Sequence, residues 1–180
     1  STQTQAAVTG KLNKKQATIA VGGNMKLKVT GAGKAKISFA SGKKKIASVN
    51  TKGVVKGLKK GKTKITAIVK KGNKKKKLTC SLTVIQGAKT LRVQDASGNR
   101  VEKVTLTKYD SISLQAKMTP AKCGDEVKWK SADTDIATVK NGVITGQYVG
   151  TTTVTATTIS GKKVKVKVSV KAPELKTPLK

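Results

Sequence analysis

Histidine is absent from these 180 residues, and 8 carboxylates stand against 39 lysines and arginines. Without an imidazole the chain has no side chain that titrates unaided near neutral pH, which removes the commonest general base. Aromatic residues make up 2%, namely Phe39, Tyr109, Trp129 and Tyr148, so any core is built from Val, Ile, Leu and Ala around at most one large ring. Cys80 and Cys123 are the only cysteines, which rules out a framework of several disulfides. No run of about 18 apolar residues exists, so no membrane span is expected. The start, Ser1-Thr-Gln-Thr-Gln-Ala-Ala, has neither a charged region nor an apolar stretch, and no signal peptide is read there.

Acids are also missing by position. None occurs before Asp95, whereas Glu102, Asp110, Asp125, Glu126, Asp133 and Asp135 follow it. The formal net charge is +31, and Arg92 and Arg100 are the only arginines, so nearly all of the positive charge is lysine. The first half has no side-chain carboxylate with which to pair a lysine. Its self-repulsion should exceed that of the second half and should be relieved by salt or by a polyanion.

What is present is a repeat. Ile37-Ser-Phe-Ala-Ser-Gly-Lys-Lys-Lys-Ile-Ala-Ser-Val runs in register with Val127-Lys-Trp-Lys-Ser-Ala-Asp-Thr-Asp-Ile-Ala-Thr-Val, aligning Phe39 with Trp129, Ser41 with Ser131 and Ile46 with Ile136. After a slip of one residue, Gly53-Val-Val-Lys-Gly lies over Gly142-Val-Ile-Thr-Gly, Gly61 over Gly150 and Ala67 over Ala156. Earlier positions also correspond, with Ile19 over Leu106, Met25 over Ile112 and Leu27 over Leu114. A string written twice points to two copies of one module. We place them at residues 11–86 and 88–171, with flexible ends at 1–10 and 172–180. The short link near Gln86-Gly-Ala-Lys89 is expected to hold the copies in a fairly fixed end-to-end arrangement, as a monomer.

Periodicity is that of strands. Met25-Lys-Leu-Lys-Val29 and Val164-Lys-Val-Lys-Val-Lys-Val-Ser-Val170 alternate apolar and polar residues, which predicts half-buried antiparallel strands. Thr63-Lys-Ile-Thr-Ala-Ile-Val69 and Thr151–Thr158 are rich in β-branched residues and flanked by glycine. Glycine and asparagine turns separate these runs, and Asn141-Gly142 predicts a two-residue hairpin with positive φ at both positions. No segment of ten residues has a 3.6 period. The fold class is therefore all-β, with about seven strands per module in a sandwich.

From Val127 to Ala156 the motifs are a Trp, the Ser131-Ala-Asp turn, Ile136-Ala-Thr-Val, Gly142-Val-Ile-Thr-Gly and Gly150-Thr-Thr-Thr-Val-Thr-Ala. This run resembles the bacterial immunoglobulin-like domain, group 2. The first module resembles it in diluted form, with Phe39 for the Trp and Gly42-Lys-Lys-Lys45 for the acidic turn. The resemblance spans roughly residues 12 to 171. It implies tandem immunoglobulin-like β-sandwiches of bacterial surface proteins of the invasin and intimin type, extracellular at the cell surface or wall. It also implies a core filled mainly by the ring at 39 or 129, with no catalytic residues and no cofactor.

Candidate chemistry outside that resemblance is sparse. Asp125-Glu126 is an adjacent carboxylate pair, but neighbours on a strand face opposite ways. Asp133 and Asp135 carry the ligand type of calcium, yet Lys43 and Lys45 stand at the aligned positions, and a turn role for Asp133 is the simpler reading. No metal is expected. Trp129 alternates with Val127 and reads as core rather than as a sugar platform, while Tyr109 and Tyr148 sit at loop edges. Cys80 reads as a small buried hydrophobe in the row Leu78, Leu82, Val84, and Cys123, in the loop from Pro120 to Gly124, as exposed. The lysine runs remain. Lys43, Lys44, Lys45, Lys70, Lys71, Lys74, Lys75, Lys76 and Lys77 are the candidate anion-binding residues, with Lys59-Lys60 a further run. Anionic surface polymers or glycans, on a host or a neighbouring cell, are the partners such a surface attracts. With two arginines and few aromatics, sequence-specific nucleic-acid recognition is not expected. The functional expectation is a non-catalytic adhesion or stalk segment, with polyanion binding through the first module as the alternative.

Overall fold

A computed structural model describes residues 6–176 and 178, and among these it forms strands and turns but no helix. The predicted flexible ends fall partly outside the described residues. The chain divides into two compact units, Ser1–Gly87 and Ala88–Lys180. The first holds β1 (Lys11–Leu12), β2 (Gln16–Ala20), β3 (Asn24–Lys26), β4 (Val29–Thr30), β5 (Lys36–Ser41), β6 (Ala47–Val49), β7 (Val54–Gly57), β8 (Gly61–Lys71) and β9 (Lys74–Ile85). The second holds β10 (Thr90–Gln94), β11 (Lys103–Thr107), β12 (Ser111–Ser113), β13 (Gln115–Thr119), β14 (Val127–Ser131), β15 (Ala137–Lys140), β16 (Val143–Gly146), β17 (Gly150–Thr158) and β18 (Lys163–Lys171).

The units match strand for strand. A four-stranded sheet in the order β2-β9-β8-β5 faces a three-stranded sheet β3-β7-β6, beside a short pair β1-β4; the second unit repeats this as β11-β18-β17-β14, β12-β16-β15 and β10-β13. Each is a two-layer β-sandwich. The count is nine strands per unit rather than seven, because each unit adds to its two sheets a separate pair, β1-β4 with two residues a side and β10-β13 with five.

Two expectations about pairing change. Met25–Val29 is not one strand: β3 pairs with β7 and β4 with β1, so the chain crosses between sheets at Leu27 and Lys28. Leu27, at this crossing, is 1% exposed. The run Val164–Val170 lies within β18, which is antiparallel to β17 but parallel to β11, and β2 and β9 repeat that parallel pair. Alternation reports burial, not the direction of the neighbour.

Burial follows the period of two. In β8, Ile65, Ala67 and Val69 are buried, and across the ladder Cys80 and Leu82 of β9 are buried with Val84 beyond them. One core gathers Ile19, Met25, Leu27, Ala47, Val55, Ile65, Cys80, Leu82 and Val84, and the other gathers the corresponding residues of the second unit. Phe39 and Trp129 are only partly buried and pack against these cores. The filling is aliphatic instead, with Leu27, Ile65, Leu82 and Ile144 among the largest enclosed side chains.

Each ring covers a glycine. Asn141 and Gly142 have φ of 49° and 82°, the two positive values a type I′ hairpin requires between β15 and β16. In the first unit the same hairpin has the four residues Asn50–Gly53, closed by Asn50 Oδ1 accepting the N–H groups of Lys52 and Val54. That longer turn is the one-residue slip in the repeat.

Candidate functional site

Lys43, Lys44 and Lys45 follow β5 and lie exposed in a turn, where the Ile46 and Ala47 N–H groups both donate to the Lys43 carbonyl. Leu58 and Lys59 donate to the Ile46 carbonyl, which brings the loop after β7 alongside. The result is a shallow concavity of about 490 Å³ lined by Lys43, Lys44, Lys45, Ile46, Lys59 and Lys60. A larger concavity of about 810 Å³ adjoins it through Lys43 and adds Lys62 and Lys64 of β8. These two lysines escape a search for runs because they alternate with Thr63 on a strand.

Lys70, Lys71 and Lys74–Lys77 form a separate group. They occupy the β8–β9 hairpin, with Lys70 opposite Lys75 and Lys71 opposite Lys74, while Lys36 faces Lys70 from β5. Lys64 and Lys70 lie six positions apart on β8, roughly 20 Å at strand rise. The candidate lysines therefore make two clusters rather than one site. The first unit itself supplies no side-chain carboxylate to either, because none precedes Asp95 in the chain. Like charges directly opposite on a ladder repel, so the hairpin carries a cost that counterions reduce.

The equivalent turn in the second unit keeps the backbone and changes the chemistry. Ile136 and Ala137 N–H groups donate to the Asp133 carbonyl, and Gln147 and Tyr148 donate to the Ile136 carbonyl, bond for bond as in the first unit. Here Asp133 Oδ1 also accepts the Asp135 N–H at 3.0 Å. The Asp133 N–H donates to Thr152 Oγ1 at 3.0 Å, and Ser131 Oγ donates to the Asp133 carbonyl at 3.1 Å. Asp133 thus organises its own turn. Among the described residues no group of three or more His, Cys, Asp or Glu is placed to hold a metal ion. The corresponding first-unit hydroxyls, Ser41 Oγ and Thr63 Oγ1, are buried without a hydrogen-bond partner.

Asp125 is the polar residue the sequence undersold. It is 7% exposed and accepts from the Ala88 N–H at 2.8 Å, the Glu126 N–H at 3.0 Å and the Ser160 hydroxyl. Burial pushes its carboxyl up, but the Ala88 N–H, the Ser160 hydroxyl and the neighbouring N–H groups outweigh it and hold the carboxyl below the usual range. Its role is to tie the start of the unit to the β17–β18 turn, a long-range link that no local pattern announces. Asp95 is likewise held low, first by the Asn99 N–H, in an exposed turn.

Both thiols are free and buried. Cys123 is therefore not the exposed loop cysteine expected from its setting: it is 2% exposed, with its N–H donating to the Pro120 carbonyl in a turn that folds inward. Burial raises the Cys80 thiol, with Lys14 opposing. Tyr109 and Tyr148 are 70% and 63% exposed, and the Lys108 ammonium lies 4.9 and 4.8 Å from their ring centres. Tyr109 holds φ of 74°, where the first unit has Gly22.

Comparison with known proteins places this architecture. Residues 7–80 and 99–169 match the family model of the bacterial Ig-like domain (group 2). A 3-O-alpha-D-galactosyl-alpha-L-arabinofuranosidase of Bifidobacterium longum subsp. longum is 40% identical over 60 residues, 32% of this chain and 5% of that enzyme. Among solved structures, domains 1–6 of surface layer protein SbsC align at 21% identity and a TM-score of 0.42, over 93% of this chain and 28% of that one. An intimin mutant of EHEC O157:H7 aligns at 20% identity and a TM-score of 0.36, over 46% of this chain and 47% of that one.

Proposed function

Because the chain belongs to the bacterial Ig-like domain (group 2) family, we propose that it is a non-catalytic module pair of a bacterial cell-surface protein, serving as a stalk or adhesion segment. Domains of this family are generally non-catalytic structural modules. The observation that carries the reading is where the shared residues go. Ile65 and Val154, Ala67 and Ala156, Ala47 and Ala137 are all buried in the two cores. What the copies share is a scaffold, and the buried polar pair they repeat, Ser41 and Thr63 with Ser131 and Thr152, flanks a turn of that scaffold. An antibody against the pair tests this on cells that make the parent protein: it is expected to label intact cells, and labelling that requires permeabilisation overturns the reading.

A second reading has its own support in the two lysine clusters of a unit with no carboxylate. In it, the first unit holds the parent protein to anionic wall polymers or host glycans. Neutralising several phosphates or sulfates with lysine releases their counterions, so affinity falls steeply with salt. Titration with a heparin-like glycan and with a wall polymer at two salt levels tests it. Binding that weakens as salt rises supports the reading; no binding near physiological salt leaves the stalk alone.

A further inference from the structure

We propose that the turn Lys43–Lys45 is a seat for a tetrahedral oxyanion, a phosphate or sulfate ester, which takes in the first unit the place that the Asp133 carboxylate holds in the second. The inference rests on the anion-association reading above and gives it a site.

The two turns share their backbone bonds, so one can be read as the template of the other. The Gly42 N–H donates to the Lys64 carbonyl as Ala132 does to Thr153, and the carbonyls of Lys43 and Asp133 each accept from the third and fourth residues beyond. In the second unit a carboxylate oxygen closes this turn by accepting the N–H of Asp135. Lys43 stands where Asp133 does, and an ammonium cannot accept a hydrogen bond. The Lys45 N–H, which corresponds to that of Asp135, has no hydrogen-bond acceptor in the turn.

The surroundings have changed in the same sense. Lys44 and Lys45 replace Thr134 and Asp135, and Lys59 and Lys60 replace Tyr148 and Val149, so the concavity beside the turn is walled by five lysines. The corresponding concavity of the second unit, about 420 Å³, includes Asp135 and Tyr148 and no lysine. Backbone N–H groups in a turn, flanked by ammonium groups, form the kind of concavity that takes an oxyanion.

A second observation is independent of surface charge. Thr63, 8% exposed, lines the adjoining concavity, and its hydroxyl and that of Ser41 lack partners, whereas Thr152 and Ser131 are satisfied by the Asp133 turn. In the sister turn these contacts come from the Asp133 backbone N–H and carbonyl, so the first-unit turn lacks them although Lys43 carries the same two groups.

Inorganic phosphate, titrated into the full ¹⁵N-labelled chain at constant ionic strength, tests the seat. The Lys45 amide is expected to shift and saturate, while the Asp135 amide does not. Lys43→Asp installs the carboxylate in cis and is expected to weaken the phosphate response at least tenfold; Lys74→Asp, the same charge change in the hairpin cluster, is expected to leave it within twofold. Equal weakening by the two variants, or an Asp135 response as large as that of Lys45, overturns the seat. Lys43→Asp introduces the residue that the second unit already carries there, and its melting temperature confirms folding. Repeating the comparison with a glycerol phosphate polymer and with heparin assigns the source: the polymer whose binding Lys43→Asp weakens more, relative to Lys74→Asp, supplies the ester. If neither polymer binds the unaltered chain while phosphate still saturates Lys45, the polyanion reading fails and the seat stands.

Discussion

Replacing Gly142 by alanine should unfold the second unit far more readily than replacing Gly98, although both glycines hold φ above 80° in the same unit. An alanine forced to positive φ costs about 1–2 kcal/mol. At Gly98 a Cβ meets open space, so that is the whole expected cost. At Gly142 the Cβ runs into the Leu114 carbonyl oxygen and comes within 3.3 Å of Trp129 Cζ2. The carbonyl cannot retreat freely, because the Leu114 N–H donates to the Gly142 carbonyl at 2.9 Å and holds the two segments together. Losing that bond adds about 1 kcal/mol, and displacing the ring adds a similar amount, for a total of about 3–4 kcal/mol. Trp129 is the only tryptophan and lies in this unit, so its fluorescence follows the unfolding of the second unit without interference from the first. With an m-value of about 1–2 kcal/mol per M in urea, the excess of about 2 kcal/mol should set the Gly142→Ala midpoint roughly 1–2 M below that of Gly98→Ala. Midpoints within about 0.3 M of each other would refute the close-approach argument and leave positive φ as the only constraint.

Other outcomes are expected from the charge and from the buried polar groups. In calorimetry the first unit should melt higher by several degrees between low salt and about 1 M, and more steeply than the second, because screening shrinks the Debye length from about 10 to 3 Å over that range; equal slopes would remove self-repulsion as the reason. Asp125→Ala should destabilise the second unit by about 1–3 kcal/mol in urea unfolding followed by Trp129, since it strands the Ala88 and Ser160 donors. The Asp125 carboxyl is depressed when folded, so its contribution is full above the unfolded value of about 3.9 and is lost as pH falls through the lower folded value. Melting of the second unit should thus drop below about pH 4, and Asp125→Asn should flatten that drop. Both thiols should resist an aromatic disulfide reagent in the native protein and react on unfolding; rapid native labelling of Cys123 would place its loop outside the core.

The fold was legible wherever a side chain alternates, as in Thr63–Val69 and Val164–Val170, and wherever glycine and asparagine force a turn, as at Asn141-Gly142. Pairing direction was not, because a residue such as Val168 is buried in the same way whether the neighbouring strand is parallel or antiparallel. Short partners such as β1 and β4 are too brief to carry a period. Cys123 was misread as exposed because a loop from Pro120 to Gly124 looks solvated, and the role of Asp125 was missed because its partners Ala88 and Ser160 lie far away in sequence. The lysines were legible as runs but not as sites. Runs read along the chain put Lys43 with Lys77, whereas the sheet puts Lys43 with Lys59 and Lys64.

The physical freedom of each position explains why the copies diverge where they do. Ile65 and Val154 meet a packed interior that tolerates little change in volume, and Gly53 and Gly142 meet a backbone carbonyl, so neither pair is free to carry new chemistry. Position 43 is different. Its backbone is held by bonds to its own carbonyl from Ile46 and Ala47 and by the neighbouring bond from Gly42 to Lys64, all independent of its side chain. A carboxylate there closes the turn from within, as Asp133 does. A lysine there leaves that acceptor position unfilled on the same frame, and with Lys44, Lys45, Lys59 and Lys60 around it this is the difference on which the proposed anion seat rests.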